Sequence, residues 1–458
     1  MNDRVCVVGA GLAGCEIAHF LANRGVQVFL FESKTIKPNP SQKLKIFPEL
    51  VCTNSLKSKD PMSAHGILKE EMKKLGSIII ESAQLNQVPS GDALSVNRDD
   101  FSQYIFDKIS SMPNVKIIHQ EVEDPLLLKA QYDARYVVMA TGPLTTDALT
   151  QFISTKISEK NLYFYDAIAP IVDSDSLDME KMYFKNRYSD YDSDDKDYLN
   201  IPLDKEQYLK FVNDLVTAQK TPPKEFENWK FFDACQPVDF MAEKGIETLR
   251  FSCMKPVGLE LENGKRPYAV IQLRKENFQG SAFNLVGFQT RLTYPEQKRV
   301  LRTLPGMENA EFLHYGSVHR NTFIHSSQLL SPHFSCLNFP ELFFAGQLTG
   351  VEGYTESSAC GLYVAINIYS LLQNKGTVQI PIETGMGALV NYVLTDLRGT
   401  PSNINFGLFP ALTIEPSISE LGKKIKKISK QQKKEMIASR AKMIFHDFFE
   451  QQLKDIIS

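Results

Sequence analysis

The sequence lacks the usual features of membrane, secreted and zinc-binding proteins. No apolar run approaches the roughly 18 residues that suggest a membrane span. The seven cysteines are an odd number and none stand at CxxC spacing, which argues against a disulfide framework or a zinc site. No charged and then apolar leader precedes the first predicted strand. We therefore expect a cytoplasmic protein with reduced thiols, no bound metal and no membrane partner.

The chain also lacks a strong charge of either sign. Its net charge is −3 at pH 7 over 458 residues, with 43% hydrophobic and 23% charged residues, as in an ordinary globular protein. This length suffices for two to three domains with sizeable cores. A balanced charge neither indicates nor excludes a nucleic-acid partner, because a basic surface can be local.

The clearest motif is a glycine-rich loop near the N-terminus, between a short apolar run and a helical pattern. Its first glycine permits a tight turn, its second lets the backbone approach a pyrophosphate, and its third lets the helix pack on the strand. The helix that follows directs its positive dipole end at the phosphates. The loop therefore predicts a dinucleotide site formed by Gly9, Ala10, Gly11, Leu12, Ala13 and Gly14.

A second apolar run, residues 28–31, ends in Glu32. This is near the spacing at which an acid accepts hydrogen bonds from an adenosine ribose. The alternative is a glycine-rich turn that binds nothing. Strand, glycines, helix, second strand and acid follow one another within 32 residues, and this order favours the dinucleotide site.

Two later apolar strands also end in glycine. Residues 136–139 lead into Gly142, and residues 342–345 lead into Gly346, which is followed by Gly350 and a helical pattern. In flavoproteins such turns return the chain beneath the cofactor, so they favour FAD over a bare NAD fold. The alternative at each position is a plain strand–helix turn. We predict that Gly142, Gly346 and Gly350 contact the cofactor.

These patterns predict an α/β protein. We expect a Rossmann-like FAD-binding domain of the glutathione-reductase type, formed by residues 1–145 and 335–458, with an inserted α+β domain at 146–334. Residues 78–80 predict a short strand. The last segment predicts a basic helical tail, with seven lysines between residues 423 and 434. That tail is either a solvated helix face or a surface that contacts phosphates.

Two cysteines are candidates for chemistry. Cys52 lies in the irregular loop after the second strand, where active-site loops of this fold emerge. Cys235 lies in a turn-like setting of the predicted insertion. Thiolates are good nucleophiles and leaving groups, and thiols can act as acids. The alternative for any single cysteine is a small buried hydrophobe, which is our interpretation of the other five.

Several longer blocks of the sequence are specific enough to compare with known families. They are VCTNSL at 51–56, LKEEM at 68–72, ATGPL at 140–144, EKGIETLRF at 243–251, MKPVGL at 254–259, VGFQT at 286–290, EQKRV at 296–300, HRNTF at 319–323, FAGQLTGVEGY at 344–354 and NINFGLF at 403–409. Together they resemble the folate- and FAD-dependent RNA (uracil-5-)-methyltransferases, the TrmFO family. The resemblance covers residues 1 to about 412. The family is similar to the flavoprotein GidA, which modifies the wobble uridine of tRNA.

The resemblance implies an enzyme that forms 5-methyluridine in RNA, first of all at the T-loop uridine of tRNA. It implies 5,10-methylenetetrahydrofolate as carbon donor, FAD as cofactor and NAD(P)H as reductant. A thiolate adds to C6 of the uracil, which makes C5 a nucleophile for the one-carbon unit. Family cysteines that match Cys52 and Cys235 take part in this chemistry. We expect Cys52 near the flavin and Cys235 as its partner, and either can be the nucleophile.

The chain departs from the family pattern beside Cys52. Residues 40–43 stand where relatives usually carry paired histidines, and Thr53 stands where serine is usual. A 23S ribosomal RNA uridine is therefore the second expected target. A flavin oxidoreductase acting on a small metabolite, and a flavin-binding RNA chaperone without catalysis, are the alternative functions.

Overall fold

The structure is a computed structural model. It describes residues 3–39, 42–157, 162–167, 169–189, 197–222, 236–277, 279–397, 401–412 and 429–457. Cys235 and the lysines between residues 423 and 427 lie outside these ranges, so the predictions made for them are not tested by the structure.

A five-stranded parallel sheet carries the glycine loop. In spatial order its strands are Leu342–Phe344 (β16), Tyr136–Met139 (β7), Arg4–Val8 (β1), Gln27–Glu32 (β2) and Val115–His119 (β6). The central strands are almost wholly buried because helices cover both faces of the sheet. β1, the helix that follows it and β2 form the predicted β-α-β unit. The predicted α/β, Rossmann-like fold is confirmed.

Helices and a small sheet surround the parallel sheet. The helices are Leu12–Ala22 (α1), Ala64–Lys74 (α2), Ile78–Leu85 (α3), Arg98–Ser110 (α4), Leu126–Gln131 (α5), Asp147–Phe152 (α6), Tyr354–Leu372 (α11), Gly385–Thr395 (α12), Lys430–Phe448 (α13) and Lys454–Ile457 (α14). The small sheet, ordered β3-β5-β4, comprises Ser55–Ser58 (β3), Gln87–Val88 (β4) and Ala93–Val96 (β5). Among the described residues, no helix combines the length and apolarity that crossing a bilayer would need.

A second, antiparallel sheet is formed by the middle of the chain. In spatial order its strands are Tyr183–Phe184 (β10), Tyr198–Leu203 (β11), Ala269–Lys275 (β12), Ala282–Leu285 (β13), Ile171–Asp173 (β9) and Phe312–His314 (β14). A separate pair of strands comprises Leu162–Ala167 (β8) and Val318–Phe323 (β15), and the helices here are Lys205–Thr217 (α7), Val238–Glu243 (α8), Tyr294–Leu301 (α9) and Ser326–Leu329 (α10).

The buried apolar side chains form two separate cores. The first core is built from residues 5–157 and 324–457, and it surrounds the parallel sheet. The second core is built from residues 172–310 and covers the antiparallel sheet. The domain boundaries at residues 145 and 334 stay a prediction.

The strand predicted at residues 78–80 is wrong, because these residues begin α3. Three consecutive isoleucines favour a strand by propensity, but two acceptors stabilise a helix start here. The Ser77 hydroxyl accepts from the Ile80 amide at 3.1 Å. The buried Glu16 carboxylate, from α1, accepts from the amides of Ile78 and Ile79 at 3.3 Å each. A partner 61 residues away in the chain therefore decides the local structure.

The C-terminal helix α13 is anchored to the first core. Its buried face includes Ile437, Ala441 and Phe445, whereas the lysines at its start are exposed. The described part of the tail is therefore an amphipathic helix that contributes to the core. Deleting the whole tail would therefore destabilise the first core as well as remove positive charge.

Helices α1 and α11 approach each other without side chains between them. A Cβ atom at Gly361 of α11 would lie 2.6 Å from the carbonyl oxygen of Ala13 and 2.8 Å from its Cα. Because Ala13 belongs to the first turn after the glycine loop, this contact fixes the position of that loop.

We expect Gly361→Ala to lower the free energy of unfolding by about 1–3 kcal/mol, since the added methyl group must push α1 away from α11. Denaturant unfolding of the purified protein measures the change. The control is Asn391→Ala, which introduces the same side chain on an exposed position of α12, where alanine favours the helix. A Gly361→Ala protein as stable as the wild type would contradict the close packing.

Candidate functional site

A cavity of about 680 Å³ lies at the carboxyl edge of the parallel sheet. Ligands of open α/β sheets bind at this edge. Its walls come from the loops after β1, β2, β7 and β16, and from β12 and β13 of the antiparallel sheet. The predicted site residues that line it are Gly9, Ala10, Gly11, Leu12, Ala13, Glu32, Cys52, Gly142 and Gly346.

The glycine loop brings the N-terminus of α1 to the cavity. Gly9 has φ +100°, and a Cβ atom there would lie 2.6 Å from the carbonyl oxygen of Ala140. Gly14 does not line the cavity, and a Cβ atom there would collide with the Gly9 carbonyl. Gly11 caps the helix, and the nearest atom to a Cβ there is 4.0 Å away. The loop therefore leaves room for a phosphate at the helix start.

The Glu32 carboxylate is fixed between two backbone segments. One oxygen accepts from the Ala10 amide at 2.9 Å, and the other accepts from the Lys34 amide at 2.7 Å. Each oxygen keeps a second lone pair, and the residue lines the cavity. The predicted ribose contact is compatible with this geometry. The sequence did not indicate that Glu32 also holds the glycine loop.

The later glycines take two different positions. Gly142 and Gly346 have φ of +65° and +73° and line the cavity. Gly350, predicted to contact the cofactor, does not line it. With φ +91° it ends the short helical turn Gly346–Thr349, and its carbonyl accepts from the Ser402 amide at 3.2 Å. Gly350 therefore shapes the turn that presents Gly346.

The cavity residues fit FAD. The N-terminus of α1 suits the diphosphate, and Glu32 suits the ribose. At the opposite side, residues 353–357 at the start of the long helix α11 also line the cavity, and Gly353 caps this helix. A second helix N-terminus facing the same cavity favours electron-rich edges of a flavin ring.

The loop that carries Cys52 is hydrogen-bonded to α11. The backbone amides of Cys52 and Thr53 donate to the Tyr354 hydroxyl oxygen at 2.7 and 3.0 Å. Burial raises the pKa of Tyr354, so this hydroxyl stays neutral. The Cys52 thiol thus projects from a fixed backbone at the cavity wall.

The same loop is also held by the antiparallel sheet. Arg274 of β12 donates to the Asn54 side-chain oxygen at 3.0 Å and to the Thr53 hydroxyl at 2.5 Å. The Asn54 amide group donates to the carbonyls of Val96 and Lys275 at 3.1 and 3.0 Å. Arg274 and Asn54 are both buried. Asn54 therefore links strand β5 of the small sheet to strand β12 of the antiparallel sheet.

A third contact fixes the residues before Cys52. Arg98, at the start of α4, donates to the Leu50 carbonyl at 2.7 Å. It also forms an ion pair with Glu276, just after β12, at 2.8 Å. Three separate parts of the chain therefore position the Cys52 loop.

Two buried ionic groups complete the cavity wall. Lys34 and Glu49 form an ion pair at 2.7 Å, with side chains 5% and 9% exposed. Glu356 lies 3.3 Å from the Nδ1 atom of His65. Burial acts to raise the pKa of Glu356, but the adjacent His65 ring and the charge of Lys57 outweigh it, so the pKa is lowered. The cavity wall therefore keeps fixed charges.

Cys235 is outside the described residues, but the chain just after it reaches the cavity wall. The Val238 amide donates to the Gln289 carbonyl at 2.7 Å, and Gln289 lines the cavity. Whether the thiols of Cys52 and Cys235 meet stays a prediction.

Sequence reasoning missed the residues that position Cys52. Tyr354 and Asn54 fall inside blocks quoted for the resemblance, and that was the available signal. Arg274 lies in an ordinary strand pattern, where nothing in the sequence marks it.

We expect Tyr354→Phe to make Cys52 more reactive. Losing the hydroxyl leaves two partly buried amides without their acceptor, which costs about 1–3 kcal/mol and favours opening of the loop. Alkylation of Cys52, followed by peptide mass spectrometry, should speed up by on the order of tenfold.

The control for this prediction is Tyr363→Phe in the same helix. The Tyr363 hydroxyl is also buried, and it donates to the Pro332 carbonyl at 2.8 Å, away from Cys52. This variant should lose stability without faster alkylation of Cys52. Equal alkylation rates in Tyr354→Phe and the wild type would show that the hydroxyl does not hold the loop.

Known proteins resemble this chain along nearly its whole length. The family model described as glucose inhibited division protein A (GIDA) matches residues 4–376. A Listeria innocua protein named methylenetetrahydrofolate--tRNA-(uracil-5-)-methyltransferase TrmFO is 46% identical over 448 residues, which cover 96% of this chain and 98% of that protein. A protein of the same name from Acholeplasma laidlawii is 44% identical over 416 residues, covering 90% of this chain and 94% of that protein.

The fold is also that of a solved structure. GidA from Aquifex aeolicus, in its form II crystal, superposes with a TM-score of 0.67 at 14% identity, covering 100% of this chain and 75% of that chain. At this identity the likeness shows the fold alone.

Proposed function

The chain belongs to the TrmFO methyltransferases within the GIDA family, and we propose that it forms 5-methyluridine in RNA with 5,10-methylenetetrahydrofolate as carbon donor. The observation that carries the proposal is the shared cavity. The glycine loop, the Gly142 and Gly346 turns and the Cys52 loop all line it. A nucleophilic thiol therefore faces the space that suits a flavin.

FAD is the cofactor that this cavity fits. Bound there, it supplies transfer of the one-carbon unit and of electrons from NAD(P)H. The N-terminus of α1 would hold the diphosphate, Glu32 the ribose and the start of α11 the flavin ring. Arg274 and Asn284 of the antiparallel sheet also line the cavity.

Cys52 and Cys235 share two roles in the reaction. One thiolate adds to C6 of the uracil, so that a sulfur–carbon bond forms and the C5–C6 double bond becomes a nucleophilic enolate at C5. After C5 has gained the one-carbon unit at the methylene level, a base removes the C5 proton, a hydride equivalent that derives from NAD(P)H completes the methyl group, and the sulfur–carbon bond breaks. The second thiol suits the proton transfer. Both thiols must stay reduced for these roles, so a cytoplasmic setting is part of the proposal.

Cys235 precedes Val238 by three positions, a span of at most about 11 Å of extended chain. Val238 is hydrogen-bonded to the cavity residue Gln289. This supports a joint role for the two cysteines.

The first proposed target is the T-loop uridine of tRNA, and the second is a 23S ribosomal RNA uridine. In either RNA the base must leave its stack to reach the cavity. The relatives' name specifies tRNA, which favours the first target.

The deciding experiment incubates the flavin-containing protein with unmodified tRNA or 23S rRNA transcripts, methylenetetrahydrofolate and NADH or NADPH. Nucleoside mass spectrometry should detect 5-methyluridine, and the RNA that contains it identifies the target. No 5-methyluridine in any RNA, with flavin bound, would refute the proposal. Flavin reduction by a small metabolite without RNA would instead support an oxidoreductase.

We expect Cys52→Ala and Cys235→Ala each to reduce methylation by at least about 100-fold, as for the loss of a covalent or acid–base group. RNA containing 5-fluorouridine should form a denaturation-resistant complex with the variant that keeps the nucleophile. Cys336→Ala, at a buried cysteine away from the cavity lining, is the control. Full activity in both single variants would show that the thiols are not catalytic.

The exposed lysines at the start of α13 are proposed to contact RNA phosphates. Lys430, Lys433 and Lys434 lie on the solvent side of a helix whose other side is anchored in the first core. A cationic surface on a fixed helix can hold a phosphate backbone without a folding cost on binding.

Replacing these three lysines by glutamine should weaken RNA binding and lower the slope of log K against log salt by about 0.7–0.9 for each phosphate that the protein no longer binds. Filter binding at several salt concentrations measures the slope. The control replaces Lys108, Lys116 and Lys129, which are exposed and lie outside α13. An equal effect in both variants, or an unchanged slope, would identify the α13 lysines as a solvated face.

A further inference from the structure

Three aromatic rings stack beside the cavity. Tyr315 lies between Tyr294, at the first residue of α9, and Phe312 of β14. Its ring centroid is 4.9 Å from that of Tyr294 and 5.1 Å from that of Phe312, with interplanar angles of 18° and 16°. Near-parallel rings at this separation are stacked, as nucleobases stack on aromatic side chains.

This three-ring stack is closed at one end and open at the other. Phe312 packs against the second core, and Tyr315 is half-buried. Tyr294 is 56% exposed. The outer face of Tyr294 is therefore the place where the stack can be extended.

The backbone beneath the stack is held rigidly. The fully buried Gln297 side chain donates to the carbonyls of Leu292 and Gly316 at 2.7 and 2.8 Å, and accepts from the Gly316 amide at 2.7 Å. These bonds tie the segment of Tyr315 to the start of α9. A ring on a fixed backbone loses little conformational entropy when a ligand stacks on it.

A short loop connects the stack to the cavity. The Lys43 ammonium donates to the Leu313 carbonyl, between Phe312 and Tyr315, at 3.5 Å. The Lys43 amide donates to Glu49 at 2.7 Å, and Glu49 lines the cavity. The stack and the cavity are therefore neighbours on one surface.

The charges near the stack suit a nucleic-acid backbone. Lys298 is exposed one helical turn after Tyr294, on the same face of α9. Burial and the cations Lys43 and Arg98 lower the pKa of His314. The nearby Glu296 carboxylate is paired with Arg299 at 2.6 Å. Positive charge next to an exposed ring favours a base with its phosphate over an acidic or purely apolar partner.

We propose that an unpaired nucleobase of the RNA substrate stacks on the outer face of Tyr294 and extends the three-ring stack, with an adjacent phosphate near Lys298. The inference rests on the proposed function, because it takes RNA as the substrate. The stack holds RNA next to the cavity in which the target uridine reacts.

The test measures binding of an unmodified tRNA transcript to the flavin-containing protein by filter binding over a salt series. Tyr294→Ala should raise Kd by about 5- to 100-fold, which is the loss of one stacked base. The slope of log K against log salt should stay unchanged, because no phosphate contact is removed. Tyr294→Trp keeps a ring and should stay within about twofold of the wild type.

The matched control is Phe251→Ala, since Phe251 is a 75% exposed ring elsewhere in the middle of the chain. Flavin content and thermal unfolding show that each variant is folded. Wild-type affinity in Tyr294→Ala, an equal loss in Phe251→Ala, or an equal loss in Tyr294→Trp would overturn the stacking.

The two proposals fail in different ways. If the wild type methylates RNA and Tyr294→Ala binds it equally well, the stacking inference alone is refuted. If the wild type neither binds nor methylates RNA, the proposed function is refuted and the stacking inference with it. A third outcome is wild-type affinity in Tyr294→Ala together with a lower salt slope in Lys298→Gln. It would show that this surface contacts a phosphate and that no base stacks on Tyr294.

Discussion

The candidate site depends on close backbone approach at three glycines. Gly9 contacts the backbone at Ala140, Gly14 contacts Gly9, and Gly361 contacts Ala13, each at a distance that excludes a Cβ atom. These contacts bring the starts of α1 and α11 to one cavity. Two partial positive charges then face the same ligand. The glycines therefore shape the cavity and contribute to its electrostatics, beside the charged side chains of Lys34, Glu49 and Glu356.

The parts of the site that could be predicted are those formed by residues consecutive in the sequence. The glycine loop, Glu32 and the turns at Gly142 and Gly346 follow apolar strands directly, so strand position and turn chemistry identify them together. The same local logic predicted the β-α-β unit. Gly350 does not line the cavity, because position in a motif does not tell which glycine lines a cavity and which shapes the turn beside it, and its contact with the cofactor stays a prediction.

The parts that could not be predicted depend on residues distant in the chain. Residues 78–80 form a helix because Glu16 reaches their amides, and no local pattern reveals that partner. Arg274 lies 221 positions from Thr53, to which it donates. The aromatic stack likewise joins Tyr294, Phe312 and Tyr315 through a fold that periodicity does not specify. The domain boundaries and the position of Cys235 stay predictions.

The triple attachment of the Cys52 loop has an evolutionary consequence. Arg274 of β12 donates to the loop, Tyr354 of α11 accepts from it, and Arg98 of α4, which is paired with Glu276, donates to the Leu50 carbonyl. A change at any of these positions alters the thiol's surroundings, so the loop and β12 are expected to have diversified in concert. Grafting the loop onto another flavoprotein would transfer Cys52 without the contacts that orient it. The position of the Cys52 thiol thus depends on contacts from both parts of the fold.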